Sequence, residues 1–217
     1  MILRVGACRI RPLARNKMGV CDTPLLQINF TMNITFTTIK TDQEIQQLLD
    51  LQQLNLTKNI SEDVANDQGF VTVVHNFDLL SRMNQSVPQI IAKDGDKVIG
   101  YALVMPESFR FDIPVLTAMF TMLDELEYKG KLIKNTAYYA MGQICVAEGY
   151  RGQGIFDGLY AKHKSELSNR FELCVTEIAK RNLRSLAAHK RVGFEIIHEY
   201  FDVNYPELWE VVAWDFS

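Results

Sequence analysis

The stretch of the chain that decides its fold, residues 144–156, reads ICVAEGYRGQGIF. An apolar run ends at Val146, a turn with two glycines follows, and a run with helical spacing begins after Gly154. Such a turn leaves several backbone N–H groups free at the positive end of a helix dipole, where phosphate groups bind. Gly152 and Gly154 allow the backbone to come close to the anion. The stretch therefore predicts a strand, a phosphate-binding turn and a helix in an α/β fold.

Two better-known phosphate motifs do not fit this turn. A Walker loop needs Lys followed by Ser or Thr after its last glycine, and here Ile155 and Phe156 follow Gly154. The dinucleotide fingerprint GxGxxG needs a third glycine where this chain has Asp157. A nucleotide-binding module would therefore rest on the glycine turn alone.

Strand and helix patterns alternate upstream of the turn. Residues 33–41 alternate as a strand does, and Thr41 with Glu44 forms a capping box for the helix that follows. Two apolar runs on either side of residues 94–96, Asp-Gly-Asp, predict a β-hairpin. Residues 57–85 are mixed, with either a short strand or the lead into a helix over 70–74.

The elements nearer the turn complete the pattern of a mixed sheet flanked by helices. An amphipathic run over residues 114–127 predicts a helix that ends near Lys129 and Gly130 and either roofs an acceptor site or simply covers the sheet. The other predicted elements are strands over 136–146, 172–179, 194–200 and 208–214, and helices over 154–169 and 182–191, the latter closed by Gly193.

Length and charge limit the possible functions. The chain has 217 residues, enough for one substantial core, and we expect a single domain over residues 32–217. The net charge of -3 argues against a general affinity for nucleic acid. Residues 1–31 carry five basic side chains against one acidic one, so they are read either as a disordered or upstream extension before Met32 or as a targeting segment.

The four cysteines indicate a reducing compartment. They form no CxxC pair and have no histidine at metal-ligand spacing, so we expect reduced thiols in a cytoplasmic protein without a metal site. Cys145 and Cys174 lie in apolar runs, as buried structural thiols do. No apolar run is long enough for a membrane span.

A second block, residues 181–194, reads RNLRSLAAHKRVGF. Together with Arg151, Gly154 and Phe156, it resembles the cofactor motifs of the GCN5-related N-acetyltransferase (GNAT) superfamily. Those motifs are Arg or Gln, two residues, Gly, one residue and a small residue, and further on an Asn and then Tyr-x-x-x-Gly-Phe. Phe156 departs from the small residue of the first motif. The resemblance runs from the first predicted strand to the C-terminus and is densest over residues 140–194.

The resemblance implies a fold and a cofactor. The fold is a mixed, mostly antiparallel sheet flanked by helices and splayed at the central strands that bind the cofactor. The cofactor is acetyl-CoA, with CoA as the product: the strand before the turn would pair with its pantetheine arm, and the turn would bind its pyrophosphate. The implied cofactor-binding residues are Ile144, Cys145, Val146, Arg151, Gly152, Gln153, Gly154, Ile155, Phe156, Asn182 and Ser185.

The resemblance implies one catalytic candidate, and the chemistry of an amine acceptor points to two more. His189 holds the place of the tyrosine that protonates the leaving thiolate in relatives, and an imidazole with its ordinary pKa near 6.5 can donate a proton near neutrality. The alternative is a solvated surface histidine beside Lys190 and Arg191. An amine acceptor must lose a proton before it attacks, and Glu177 and Glu148 are the carboxylates best placed to take it, unless each is only a charge at a strand end.

The predicted function is direct transfer of an acetyl group from acetyl-CoA to a small-molecule or peptide amine, without nucleic acid or membrane as a partner. The alternative is a non-catalytic acyl-CoA sensor that uses the same cofactor turn. The last strand-like run, residues 208–214, is read as a sheet edge and makes a homodimer possible.

Overall fold

The computed structural model describes residues 32–56, 73–203 and 206–217. The expectations for residues 1–31 and 57–72 lie outside these ranges. The strands are β1 (Ile34–Thr38), β2 (Ile90–Asp94), β3 (Lys97–Pro106), β4 (Glu127–Tyr128), β5 (Lys131–Leu132), β6 (Tyr138–Val146), β7 (Leu173–Ala179), β8 (Glu195–Asp202) and β9 (Glu207–Asp215). The helices are α1 (Asp42–Asn55), α2 (Phe77–Ser86), α3 (Thr117–Glu125), α4 (Ile155–Leu167) and α5 (Leu183–Val192).

Seven strands form one mixed sheet in the order β1-β2-β3-β6-β7-β9-β8. The central strands β6 and β7 are parallel, and the other neighbours are antiparallel. A right-handed crossover through a helix is the usual way to join parallel neighbours, and α4 occupies the connection from β6 to β7. The predicted mixed, mostly antiparallel sheet flanked by helices is confirmed.

Local signals in the sequence account for the first half of the sheet. The Thr41 hydroxyl accepts from the Glu44 amide at 3.2 Å, and the Glu44 carboxylate accepts from the Thr41 amide at 3.1 Å, so the predicted capping box begins α1. The Lys93 ammonium also donates to Glu44, at 2.7 Å, which ties α1 to β2. Gly95 has a φ of 58° in the turn of the predicted β2–β3 hairpin.

Two predictions about shape were wrong. The helix predicted over residues 114–127 begins as a short 3-10 turn and ends at Glu125, because Lys129 and Gly130, with φ values of 50° and 78°, form the turn of the β4–β5 hairpin. Its buried Met119 and Phe120 make it a covering helix. The last strand is not a sheet edge, because β9 pairs with β7 on one side and β8 on the other, and β8 is the edge strand.

Apolar cores lie on both faces of the sheet. The first core packs α1, α2 and α3 against the sheet and contains the fully buried Tyr101 and Phe120. The second packs α4 and α5 against the opposite face and contains Tyr160. Alternate residues of β7 enter the two cores, Val175 the first and Cys174 the second, as the pleat of a strand requires. Within the described ranges, no helix is long and apolar enough to cross a membrane.

Candidate functional site

The central parallel strands β6 and β7 pair over only a short stretch and then diverge. Residues Tyr138–Ala140 of β6 pair with Leu173–Val175 of β7, and no further pair joins the two strands in the described part of the chain. Beyond the last pair, the Thr176 hydroxyl donates to the Met141 carbonyl at 3.0 Å. Beyond Met141, the backbone groups of β6 on the side of β7 therefore face an opening in the sheet. Two clefts lie along this opening.

The glycine turn closes one end of the opening. Gly152 and Gly154 have φ values of 75° and 77°, the left-handed region that glycine tolerates best, and Gly154 is the N-cap of α4. No side chain caps this helix, and the amides of Gly152, Gly154 and Phe156 have no hydrogen-bond partner among the described residues. A Cβ atom at either glycine would meet nothing within 4 Å, so open space lies where an anion would bind.

The larger cleft has a volume of about 520 Å³ and runs from this turn to α5. Among its described lining residues, the basic side chains are Arg151, Arg184 and Arg191, and Asp157 is the one carboxylate. This balance suits a ligand with several phosphate groups. The lining residues are Asn55, Ile144, Cys145, Val146, Tyr150, Arg151, Gly152, Gly154, Ile155, Phe156, Asp157, Asn182, Arg184, Ser185, Ala187, Ala188 and Arg191.

All but one of the predicted cofactor residues line this cleft. The exception is Gln153, whose exposed side chain turns back and donates to the Gly149 carbonyl at 3.0 Å. Asn182 is the N-cap of α5, and its side-chain oxygen accepts from the Ser185 amide at 3.1 Å. This cap fixes where α5 begins, and it thereby places both Asn182 and Ser185 at the opening.

Arg151 holds the turn in place. Its Nε donates to the Val146 carbonyl at 3.0 Å, and one terminal nitrogen donates to the Asn55 side-chain oxygen at 2.6 Å. These bonds join the turn to the end of β6 and to the last residue of α1. The arginine of the first motif thus supports the backbone that faces the cleft.

Sequence reasoning gave no role to Arg184, Arg191, Asn55 or Tyr150. The two arginines are seven residues apart on α5, so they lie on the same side of the helix, and a helical projection of residues 181–194 would have found them. Arg191 pairs with Asp157 of α4 at 2.6 Å. No local signal marks Asn55, because it reaches the site only through the packing of α1.

The smaller cleft has a volume of about 120 Å³ and lies where β6 and β7 diverge. It shares Ile144, Asn182 and Ser185 with the larger cleft, so the two meet at the same backbone. Its described lining residues include no Lys or Arg, and among them Glu177 is the one carboxylate. The remaining lining residues are Val73, Met141, Gly142, Gln143, Thr176, Ile178, Ala179, His189 and Trp209.

His189 is not a surface residue. It is 3% exposed, and its ring makes edge contacts with Phe156, Tyr160 and Phe194. Its Nδ1 donates to the Ser185 carbonyl at 2.8 Å, which leaves Nε2 as the nitrogen without a proton in the neutral ring. Burial lowers the pKa of His189 to about 4, so the premise of an ordinary pKa near 6.5 does not hold in the folded chain.

Glu177 lies on the opposite face of the sheet from His189, on the side of the first core, and the two residues meet at the smaller cleft. Burial raises the pKa of Glu177, and a hydrogen bond from the Tyr200 hydroxyl at 2.5 Å lowers it in part. The Asp202 carboxylate raises it further. A carboxylate with a raised pKa is a stronger base than an ordinary one.

The third catalytic candidate lies apart from the other two. Glu148 belongs to a 3-10 turn between β6 and α4, is exposed, and lines neither cleft. Cys145 and Cys174 are buried free thiols, and burial raises the pKa of each to about 12. Among the described residues, no group of His, Cys, Asp and Glu is placed to hold a metal ion.

Known proteins share this architecture. The ribosomal-protein-S18-alanine N-acetyltransferase of Escherichia coli is 13% identical, with a TM-score of 0.54 over 85% of this chain and 94% of its own. A putative acetyltransferase of Salmonella typhimurium, YncA, whose structure holds acetyl-CoA, is 12% identical, with a TM-score of 0.54 and the same coverage. A ribosomal-protein-alanine N-acetyltransferase of Brucella melitensis is 15% identical, with a TM-score of 0.54 over 83% of this chain and 99% of its own. These likenesses concern the fold.

The family follows from the sequence itself. No protein with a curated description matches the chain. The model of the acetyltransferase (GNAT) family matches residues 58–194, which is well over half of the chain and includes both the glycine turn and α5. The splayed strands, the uncapped helix and the basic cleft lie within or beside the matched region, and the chain therefore belongs to the GNAT family of acetyltransferases.

Proposed function

We propose that this chain transfers an acetyl group from acetyl-CoA directly to an amine. The observation that carries the proposal is the meeting of the two clefts at Ile144, Asn182 and Ser185. The larger cleft is basic and suits a phosphorylated cofactor, whereas the smaller one carries a carboxylate and suits an amine. A common boundary brings the two reactants together, and alignment of this kind contributes about 7 to 11 kcal/mol at best.

The residues present fit acetyl-CoA. The amides of the Gly152–Phe156 turn, which have no partner among the described residues at Gly152, Gly154 and Phe156, and the neighbouring arginines would hold its phosphate groups. The part of β6 beyond its pairing with β7, from Ile144 to Val146, would hold its pantetheine arm. Asn182 and Ser185 would contact the same arm. When bound, acetyl-CoA supplies an acetyl group activated as a thioester.

Glu177 is proposed as the group that takes the proton from the acceptor. Burial raises its pKa, and the Tyr200 hydroxyl keeps one carboxylate oxygen oriented. An ammonium ion that enters the smaller cleft meets no competing Lys or Arg among the described lining residues. The proton moves to the carboxylate directly or through one water molecule, and the neutral amine then attacks.

His189 has a different part in the proposal from the one that its sequence position implies. A neutral ring whose Nδ1 proton is held by the Ser185 carbonyl has no proton on Nε2 to give at pH 7. We therefore propose that His189 transfers no proton and only shapes the wall of the smaller cleft. Replacement of His189 by Gln should then cost less activity than replacement of Glu177 by Gln.

Calorimetric titration tests the cofactor site first. Wild-type protein should bind acetyl-CoA and CoA but not ATP, and Gly154→Glu should weaken both bindings, because the new carboxylate enters the space of the anion. Gly95→Glu is the matched control: Gly95 also has a positive φ, 58°, and nothing within 4 Å of a Cβ atom, but it lies in the β2–β3 turn. A folded wild type that binds neither CoA species refutes the proposal.

An amine screen that follows release of the CoA thiol then tests catalysis. Glu177→Gln should lose most of the turnover and keep its affinity for acetyl-CoA, whereas Glu166→Gln, an exposed change on α4, should keep both. Binding of acetyl-CoA without turnover of any amine would instead favour the acyl-CoA sensor.

A further inference from the structure

A buried network of polar side chains lies behind the smaller cleft. Gln52 of α1 and Tyr101 of β3 are 0% exposed, and His75 and Gln143 are 3% and 8% exposed. Buried amides are unusual in an apolar core, and each must find hydrogen-bond partners to offset the loss of water. Of these four residues, Gln143 lines the cleft.

Two backbone groups fix the direction of every amide in the network. The Val73 carbonyl can only accept, so the side-chain nitrogen of Gln143 faces it, at 2.9 Å. The His75 amide can only donate, so the side-chain oxygen of Gln52 faces it, also at 2.9 Å. The Gln52 nitrogen then donates to the Gln143 oxygen at 2.7 Å and to His75 Nδ1 at 2.9 Å. Flipping either amide would place two donors or two acceptors together.

The side chain of Gln143 keeps one N–H group without a partner among the described residues. The Gln143 oxygen accepts from both Gln52 and the Tyr101 hydroxyl, the latter at 2.6 Å. Its nitrogen has two N–H groups, and only the bond to Val73 is made among the described residues. Gln89, which is 0% exposed, uses both of its N–H groups: they donate to the Val87 and Val104 carbonyls at 2.8 and 3.0 Å.

We propose that the second N–H of Gln143 donates to an oxygen of the acceptor, so that the acceptor is an amine with a neutral carbonyl oxygen beside its amino group. This inference rests on the proposed function. Gln143 and Glu177 lie on the same face of the sheet, because Gln143 bonds to Tyr101 of the first core and Glu177 follows Val175 of the same core by two residues on β7. Both residues line the smaller cleft, so one would bind the amino end of the acceptor while the other binds its oxygen. The network keeps the Gln143 oxygen turned away, so this residue offers the acceptor a donor and not an acceptor.

The lining of the cleft narrows the acceptor further. With Glu177 present and no Lys or Arg among its described lining residues, a carboxylate beside the amino group would lack a cationic partner and would be repelled. Amino amides and peptide-like amines satisfy both ends of the cleft, whereas plain alkylamines leave the Gln143 donor unpaired. A buried donor left unpaired makes a site reject an analogue that lacks the matching oxygen.

The test compares two amines of similar size, glycinamide and propylamine, in wild type, Gln143→Met and Gln89→Met. The measured quantity is kcat/KM for glycinamide divided by kcat/KM for propylamine, so the difference in reactivity between the free amines cancels among the variants. We expect the quotient to fall about fivefold to tenfold in Gln143→Met, the value of one hydrogen bond, and to stay unchanged in Gln89→Met. Affinity for acetyl-CoA, measured by calorimetry, should be the same in all three.

An equal quotient in wild type and Gln143→Met overturns the inference, and so does a wild type that binds acetyl-CoA but uses neither amine. A wild type that does not bind acetyl-CoA refutes the proposed function instead. If Gln143→Met does not fold, the side-chain amide signals of Gln143 are followed by NMR in CoA-bound wild type. They should shift with glycinamide and not with propylamine, and equal responses overturn the inference.

Discussion

Acidification from pH 7 to pH 5 should destabilise this protein. His75, His163 and His189 are buried, and burial lowers the pKa of each to about 4. In the unfolded chain the same imidazoles titrate near 6.5. Between these values the unfolded chain binds more protons than the folded one, so the stability that comes from keeping the rings neutral is lost as the pH falls from 6.5 to 4.

The size of the effect follows from the shifts. One pKa unit corresponds to about 1.4 kcal/mol, and at pH 5 each ring is largely protonated in the unfolded chain but neutral in the folded one. Each therefore lowers the free energy of unfolding by about 2 kcal/mol between pH 7 and pH 5, and the three together by about 6 kcal/mol. Glu177, with its raised pKa, works in the opposite direction. A loss of this size approaches the whole stability of a typical domain.

Urea unfolding followed by circular dichroism at pH 7 and pH 5 measures the difference. His163 offers the clearest variant, because it lies in neither cleft: its Nε2 donates to the Ala102 carbonyl at 3.1 Å and its Nδ1 accepts from the Tyr139 hydroxyl at 3.0 Å. His163→Gln should remove about a third of the pH dependence. Equal stability of wild type at the two pH values would refute the reasoning.

Other changes test single contacts. Tyr200→Phe removes the hydrogen bond that lowers the pKa of Glu177, so the acidic limb of the kcat/KM profile should move to higher pH, and an unmoved limb would remove Glu177 from the reaction. Gly158→Ala places a Cβ atom 2.1 Å from the ring of Phe36 and should cost about 1 to 3 kcal/mol in urea unfolding, most of it recovered by adding Phe36→Leu. Gly193→Ala combines a φ of 115° with a contact of 2.7 Å to the indole of β9, so its melting temperature should fall further than that of Gly158→Ala.

Sequence reasoning succeeded where the signal was local. The capping box at Thr41 and the glycine turn at Gly152 and Gly154 each depend on a few adjacent residues, and the structure contains both. The β4–β5 hairpin was missed because Lys129 adopts a positive φ although lysine rarely does so, and only Gly130 beside it is of a residue type that usually marks a positive φ. A two-residue strand is also too short to show any alternation.

The environment of His189 could not be predicted in this way. The residue is enclosed by Phe156 and Tyr160 of α4 and by Phe194, the residue before β8, and only the packing of α4 against α5 brings them together. Its pKa depends on that enclosure and not on the neighbouring Lys190. The position in the motif was therefore readable from the sequence, but the protonation state was not.

The separation of charge within the site supports the proposed transfer, in which one opening receives two reactants of opposite sign. Arg151, Arg184 and Arg191 line the part that begins at the glycine turn, and Glu177 lines the part where the strands diverge. The net charge of -3 could not have predicted this arrangement, because it sums the charges of the whole chain and does not say how they are divided between the two ends of one opening. Electrostatic forces attract a phosphorylated cofactor to the first end and repel it from the second. They attract an ammonium ion to the second end and repel it from the first. Under the proposed function, each reactant would be directed to its own side of the shared boundary at Ile144, which is the arrangement that direct transfer between them would require.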